Sequence, residues 1–377
     1  MTRAPLWIAL ALAAVAALAG FGFGRLPGEM RDFEVYWTAA VRALGAEPLY
    51  PSTDGHYQFK YLPAFAVLAT PMALLPLAGA KTVWFVVSAA LLPVLIWLAI
   101  EILPVRRRAA WILTVVVMVA MGKFYGHELV LGQVNILLAV VAAAGILMMR
   151  RGRDTAAASL FIAAVVVKPY AVVFLPWIAV VRGRTAVIFA AAGLIAVLLL
   201  PVVLYGPGGT IELHREWWMT VRGSTAPNLT NNDNVSVAGM YAKWFGAGRP
   251  AAIATVLTVT ALAALAVLTI MRRRDLEHAE PLEGAMLLTL IPLLSPQGWD
   301  YVFLVATPAI ALFANYDDRL PSWLRALTWA AVATVGLSLY DLMGRERYAA
   351  FMAWSVITVC FMIVIAALVS LRLRRVA

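Results

Sequence analysis

Residues 5 to 23, PLWIALALAAVAALAGFGF, form an apolar run, and Arg31-Asp32-Phe33-Glu34-Val35-Tyr36-Trp37 follows it. The run is long enough to span a bilayer, which takes about 20 apolar residues. The second stretch sets a carboxylate, Asp32, at the membrane edge. Such a group is expensive to keep there and is a functional hypothesis by default. Asp32 would equally serve as the cap of an interfacial helix beginning at Phe33. Spacing leaves both readings open. Arg3 precedes the run, and Ala17-Leu18-Ala19 has the small residues of a signal-peptide cleavage site. The apolar runs that follow favour an uncleaved anchor with a cytoplasmic N-terminus.

The whole chain repeats this pattern. Hydrophobic residues make up 63% of the 377, charged residues 13%, and the mean hydropathy is +0.86. Soluble domains are about half apolar, so the expectation is a polytopic membrane protein forming one unit over 1–377. The formal net charge is +10. Its basic residues fall in short clusters between apolar runs, which points to topology and anionic membrane lipids rather than nucleic acid. Cys360 is the only cysteine; it excludes a disulfide framework and reads as lipid-facing filler.

The clusters Arg106-Arg107-Arg108, Arg150-Arg151 with Arg153, Arg182 with Arg184, Arg272-Arg273-Arg274, and Arg372 with Arg374-Arg375 share the cytoplasmic side under the positive-inside rule. Spans are then expected at about 82–103, 109–121, 134–149, 186–205, 251–270, 284–294, 301–314, 322–340 and 349–370. Residues 155–181 must cross an even number of times, so Lys168-Pro169 marks the tip of two short helices. Residues 62–78, broken by Pro63, Pro71 and Pro76, read as an interfacial or re-entrant helix. The expected fold is all-α, with about 12 transmembrane or half-membrane helices and both termini cytoplasmic.

This topology gathers the unusual chemistry on the outer side. Residues 24–81 hold Asp32, Glu34, His56 and Lys60, and 122–133 hold Lys123, His127 and Glu128. The long loop 206–250, the turn 295–300 and residues 341–347 complete that face. Tyr50, Phe59 and Tyr61 around His56 and Lys60 suit a sugar ring and a phosphate, or an interfacial aromatic belt. Gln133 and Asn135 offer amides to substrate hydroxyls or to a neighbouring helix. Lys168 meets a lipid phosphate or snorkels. Loop 206–250 carries His214, Arg215, Trp217, Trp218 and the run Asn228 to Asn234 with Asp233; its tryptophans predict an amphipathic piece around 211–222. Asp300 is a second outer carboxylate or a helix cap. His214 and His278 stand alone and read as structural.

No P-loop, strand-borne G-x-G-x-x-G, H-E-x-x-H or G-x-S-x-G is present. No internal repeat supports an inverted-repeat transporter. With no acidic cluster of the Asp-x-Asp kind, no metal or other cofactor is demanded.

In order along the chain, Asp32-Phe33 with Val35-Tyr36, Leu49-Tyr50, Phe59-x-Tyr61-x-Pro63, Gly132-Gln133-Val134-Asn135, Lys168-Pro169, the asparagines near Asn231, and Ser295-Pro296 with Trp299-Asp300 resemble the family 87 glycosyltransferases of the GT-C fold. Those are polyprenol-phosphate-mannose-dependent mannosyltransferases, the best known of them extending phosphatidylinositol mannosides in actinobacteria. The resemblance implies that Asp32 is the general base, with polyprenyl phosphate leaving as a lipid-linked or glycan acceptor attacks the sugar. Taken with the polar and aromatic residues above, it points to substrate or donor contacts from Tyr36, His56, Lys60, Tyr61, His127, Gln133, Asn135, Lys168, Arg215, Asn231, Trp299 and Asp300. It also implies a site on the outer side of a bacterial plasma membrane. Many relatives carry histidine after the Trp-Asp pair, where this chain has Tyr301, so Asp300 or His127 would take over any such role. Leu62 also stands where proline is common. Competing readings are the same fold with another sugar, arabinose or glucose, a lipid or solute transporter, and a non-catalytic scaffold.

Overall fold

The computed structural model describes residues 28–272 and 278–374. The expected first span at 5–23, its Ala17-Leu18-Ala19 site, and Arg273, Arg274 and Arg375 lie outside them. The helices are α1 (Arg31–Leu44), α2 (Pro63–Ala69), α3 (Leu77–Glu101), α4 (Ala110–Leu131), α5 (Asn135–Arg150) and α6 (Asp154–Val167). They continue as α7 (Phe174–Arg182), α8 (Arg184–Leu199), α9 (Val202–Asn228), α10 (Val237–Phe245), α11 (Arg249–Met271) and α12 (Glu280–Leu294). The last are α13 (Thr307–Tyr316), α14 (Ser322–Leu337), α15 (Arg345–Ala353) and α16 (Val356–Leu373). No strand occurs among the described residues, only an isolated bridge between Asn234 and Trp299.

The all-helical expectation holds. Four of the described helices, α3, α4, α11 and α16, are long and apolar enough to cross a membrane, and the bent pair α8 and α9 makes a fifth. Shorter apolar helices, among them α5 and α6, supplement them. About 12 spanning or half-spanning helices is therefore more than length and composition alone support among the described residues.

Three local expectations change. Residues 122–131 continue α4 instead of forming a loop, because Gly132 ends the helix in the left-handed region at φ 69°. Most of 206–250 is helical: a 90° bend after α8 leads into α9, and α10 follows. The inward face of α9 carries Leu213, Trp217, Val221 and Thr225 at helical spacing, while Ile211, Trp218 and Met219 are exposed. Cys360 does not face lipid; it is buried on α16, a helix that packs against α14.

The break at Lys168-Pro169 falls where expected, between α6 and a 3-10 turn that leads into α7. Proline lacks the amide proton needed to continue α6. Aromatic side chains knit the core: Phe303 and Phe361 stack with centroids 3.8 Å apart, and Phe161 lies on Phe174 at 4.8 Å.

Basic residues meet at one end. Arg150 donates to the Glu101 and Pro104 carbonyls, while Arg107 and Arg108 pair with Asp318 and Asp317. Arg182 pairs with Asp154 and Glu280. Helix α4, about 33 Å long at 1.5 Å per residue, leads from Ala110, close to this end, to Leu131 at the other.

Candidate active site

At that other end, the segments expected together on one face enclose a cavity of about 660 Å³. Asp32, Tyr36, His56, Lys60, Tyr61, His127, Gln133, Lys168, Asn231, Trp299 and Asp300 all line it. Two expected residues do not. Arg215 is exposed on α9, 3.7 Å from Glu212, one turn before it on the same helix. Asn135 is fully buried behind the wall, its amide spent on Glu128 and Tyr170.

Asp32 does not cap α1. The helix starts at Arg31, Met30 occupies the cap position with φ 60°, and no side-chain cap bond forms. Asp32 lies within the first turn, where the helix dipole favours a negative charge. Its Oδ2 accepts a 2.6 Å hydrogen bond from Gln133 Nε2. Gly132 makes this approach possible: a Cβ there would stand 2.8 Å from side-chain atoms of Met30 and Phe33. The start of α1 and the end of α4 therefore abut, and the Trp84 indole locks the junction by donating to the Gly132 carbonyl at 3.0 Å.

Gln133 is the hub. Its Oε1 accepts from Tyr36 at 2.8 Å and from Tyr61 and Lys168, each at 3.3 Å. Its Nε2 also donates to Tyr301 at 3.2 Å. The Tyr36 and Tyr61 hydroxyls are 2.6 Å apart. The Lys168 ammonium sits over the Tyr61 and Tyr170 rings at 5.5 and 5.6 Å, held by hydrogen bonding and cation–π attraction. Glu128 accepts from the backbone amides of Asn135 and Ile136 and from the Asn135 side chain. That satisfies donors at the start of α5, and Asn135 in turn accepts from Tyr170 at 3.1 Å.

Lys60 lies in the first loop, and its ammonium donates to the His56 carbonyl at 3.2 Å. Burial lowers its pKa, an effect that Asp32 partly offsets. Burial likewise raises the Tyr61 hydroxyl, so it stays protonated and able to donate. The Trp217 indole of α9 donates to the Lys60 carbonyl at 3.1 Å, tying the two walls together.

The second carboxylate lies across the cavity. Asp300 is 1% exposed, and its Oδ1 accepts from the Tyr301 amide at 2.7 Å and lies 3.0 Å from His127 Nδ1. Lys123, one turn before His127 on α4, stands 3.9 Å from Oδ2. Gly298 sets this turn: Val235 donates to its carbonyl at 2.6 Å, and a Cβ on it would fall 2.2 Å from the Pro292 carbonyl oxygen. The Asn234 side chain donates to the Asn228 and Pro296 carbonyls, joining the asparagine run to the same turn.

Sequence reading passed over Tyr170, Glu128 and Tyr301 as site residues. Tyr170 follows Lys168-Pro169 by one position and was the most findable, since an aromatic beside a buried lysine has a cation to hold. Tyr301 meets Gln133 from 168 positions away, which no local signal reveals, whereas Glu128 braces Asn135 and Ile136 only seven and eight positions on.

The arrangement offers a half-buried carboxylate, cations at Lys60 and Lys168, and aromatic and amide groups in one cavity. It can accept a proton from a hydroxyl and stabilise an anion in the same space. No curated protein matches the chain. Residues 59–296, more than half of it, match the model of glycosyltransferase family 87, a stretch that begins beyond Asp32 and ends before Trp299. On that match, the chain belongs to glycosyltransferase family 87.

Proposed function

We propose that this membrane glycosyltransferase moves mannose from polyprenyl phosphate mannose to a hydroxyl of a lipid-linked or glycan acceptor, on the non-cytoplasmic side of a bacterial plasma membrane, in a GT-C architecture. The reading rests on Asp32, whose Oδ2 is oriented by Gln133 while its carboxylate lines a cavity shared with Lys60 and Lys168. Asp32 accepts the acceptor's hydroxyl proton as that oxygen attacks the sugar C1. A hydroxyl so far above neutral pKa needs a positioned base, worth about 100 to 10,000-fold. The C1–O bond to phosphate breaks with its electron pair on the phosphate oxygen, where Lys168 and Lys60 offset the growing charge. The sidedness rests on the clustering of basic residues at the opposite end of the bundle.

The experiment is transfer of radiolabelled mannose from polyprenyl phosphate mannose into membrane lipids by the purified protein, in parallel with Asp32→Asn. Label incorporated by the wild type and lost in the variant is expected. Label in both moves the base elsewhere, and label in neither rejects the donor.

A further inference from the structure

The same cavity holds a second proton-handling group that the Asp32 step leaves unused. His127 Nδ1 lies 3.0 Å from Asp300 Oδ1, and the burial of the two partners is unequal: the Asp300 side chain is 2% exposed, that of His127 39%. A buried carboxylate behind a partly open imidazole fixes the ring and its tautomer. With Nδ1 facing that carboxylate, the contact favours a proton on Nδ1 and leaves Nε2 for the cavity. Among the described residues Asp300 Oδ2 has no hydrogen-bond partner, and Lys123 is near it at 3.9 Å. The imidazole also packs edge-on against Tyr301, at 5.2 Å between centroids. The Tyr301 hydroxyl in turn receives the Gln133 amide that holds Asp32. Asp32 and His127 thus stand at the two ends of one chain of contacts.

We propose that His127, oriented by Asp300, is the acid that protonates the departing phosphate. This rests on the donor named above. As the C1–O bond breaks, the phosphate oxygen takes the electron pair, and the phosphodiester monoanion becomes a phosphate monoester. The His127 imidazolium gives its Nε2 proton to that oxygen while Asp32 takes the proton of the acceptor hydroxyl, so protons and charge balance. Exchange with water resets both groups. A phosphate monoester has a second pKa of about 6 and free imidazole one of about 6.5. Both reference values lie near neutral pH, the range in which general acid catalysis is most effective. The charged and titratable groups facing the imidazole are Lys123 on its own helix, Asp300 and Tyr301 on the turn after α12, and Asp233 on the segment before α10.

The test is the pH dependence of mannose transfer from polyprenyl phosphate mannose by wild type, His127→Gln and Asp300→Asn. It is read beside nitrogen NMR of the imidazoles of the full-length protein, which has four histidines. His127→Gln is expected to lower kcat about 100-fold or more, with little change in KM, and to abolish the alkaline fall in rate. Asp300→Asn is expected to move that fall to lower pH and to remove the Nδ1-protonated signal that His127→Gln identifies. A His127→Gln enzyme within twofold of wild type, or one that loses only KM and keeps the alkaline fall, overturns the acid role. A wild type that takes no mannose from this donor while retaining the Nδ1-protonated signal rejects the donor, and the acid role with it. A missing signal in an active wild type rejects the dyad alone.

Discussion

Asp32 and Gln133, 101 positions apart, meet through a 2.6 Å hydrogen bond from the Gln133 amide to the Asp32 carboxylate. The contact fixes the carboxylate of a residue that could have capped a helix in the wall of the cavity. It also makes Gln133 the joint through which Asp32, Lys168 and three tyrosines are held together.

Replacing Gln133 by Leu therefore removes five contacts at once. Each buried group left without its partner costs about 1–3 kcal/mol. Gln133→Leu is expected to lower the thermal midpoint in detergent and to cut transfer by at least as much as a lost positioning hydrogen bond, roughly tenfold. Gln133→Glu reports separately on electrostatics, because it sets a second carboxylate against Asp32. A Gln133→Leu protein with wild-type midpoint and rate would remove the hub from the mechanism.

Lys168→Met keeps most of the side-chain volume and removes the charge over Tyr61 and Tyr170. Transfer is expected to fall by about 100-fold, as when one stabiliser of transition-state charge is lost. Tyr170→Phe breaks only the 3.1 Å bond to Asn135 and should cost far less. Equal losses in the two variants would show that the ring's anchorage, not the cation, matters.

At Gly298 the constraint is steric. A methyl group there meets the Pro292 carbonyl oxygen at 2.2 Å, so Gly298→Ala has to displace the turn that carries Trp299 and Asp300. Overpacking of this kind costs about 1–3 kcal/mol. A lower unfolding midpoint and reduced transfer are expected together; a neutral variant would mean that the turn yields without consequence.

Lys243 links the asparagine segment to α15, donating to the carbonyls of Asn232, Asn234 and Met352 at 3.2, 2.9 and 2.8 Å. Burial lowers its pKa to about 8, against about 10.4 for an unfolded lysine. Between those values the unfolded chain holds more protons than the folded one, so this group makes stability rise with pH from about 8 to about 10.4. Unfolding midpoints compared across that window should rise more steeply in wild type than in Lys243→Met. Parallel curves for the two proteins would contradict the assignment.

Much of this was written in the order of residues. Apolar runs and basic clusters act locally, since each segment meets the bilayer on its own terms, so the helical class and the grouping of basic residues at one end followed from the chain alone. Lys168-Pro169 was legible for the same reason, because proline breaks a helix whatever surrounds it. Helix ends were less so. The continuation of α4 past Lys123 depends on where Gly132 turns the chain, and the helical course of α9 depends on an inward face that has a wall to pack against.

What only the tertiary structure decided was which polar groups meet. Asp32 could cap a helix or line the cavity, Asn135 could line it too or brace a helix, and Arg215 could reach the cavity or face outward. Side-chain chemistry is identical in each pair of alternatives, and only the packing of α1 against the end of α4, and of Tyr170 against Asn135, separates them. Two of the bonds that orient the site, Gln133 to Asp32 and Gln133 to Tyr301, join residues more than 100 positions apart, and the His127–Asp300 pair spans more than 170. Such contacts depend on how helices are placed side by side, a property that no single stretch of the sequence contains.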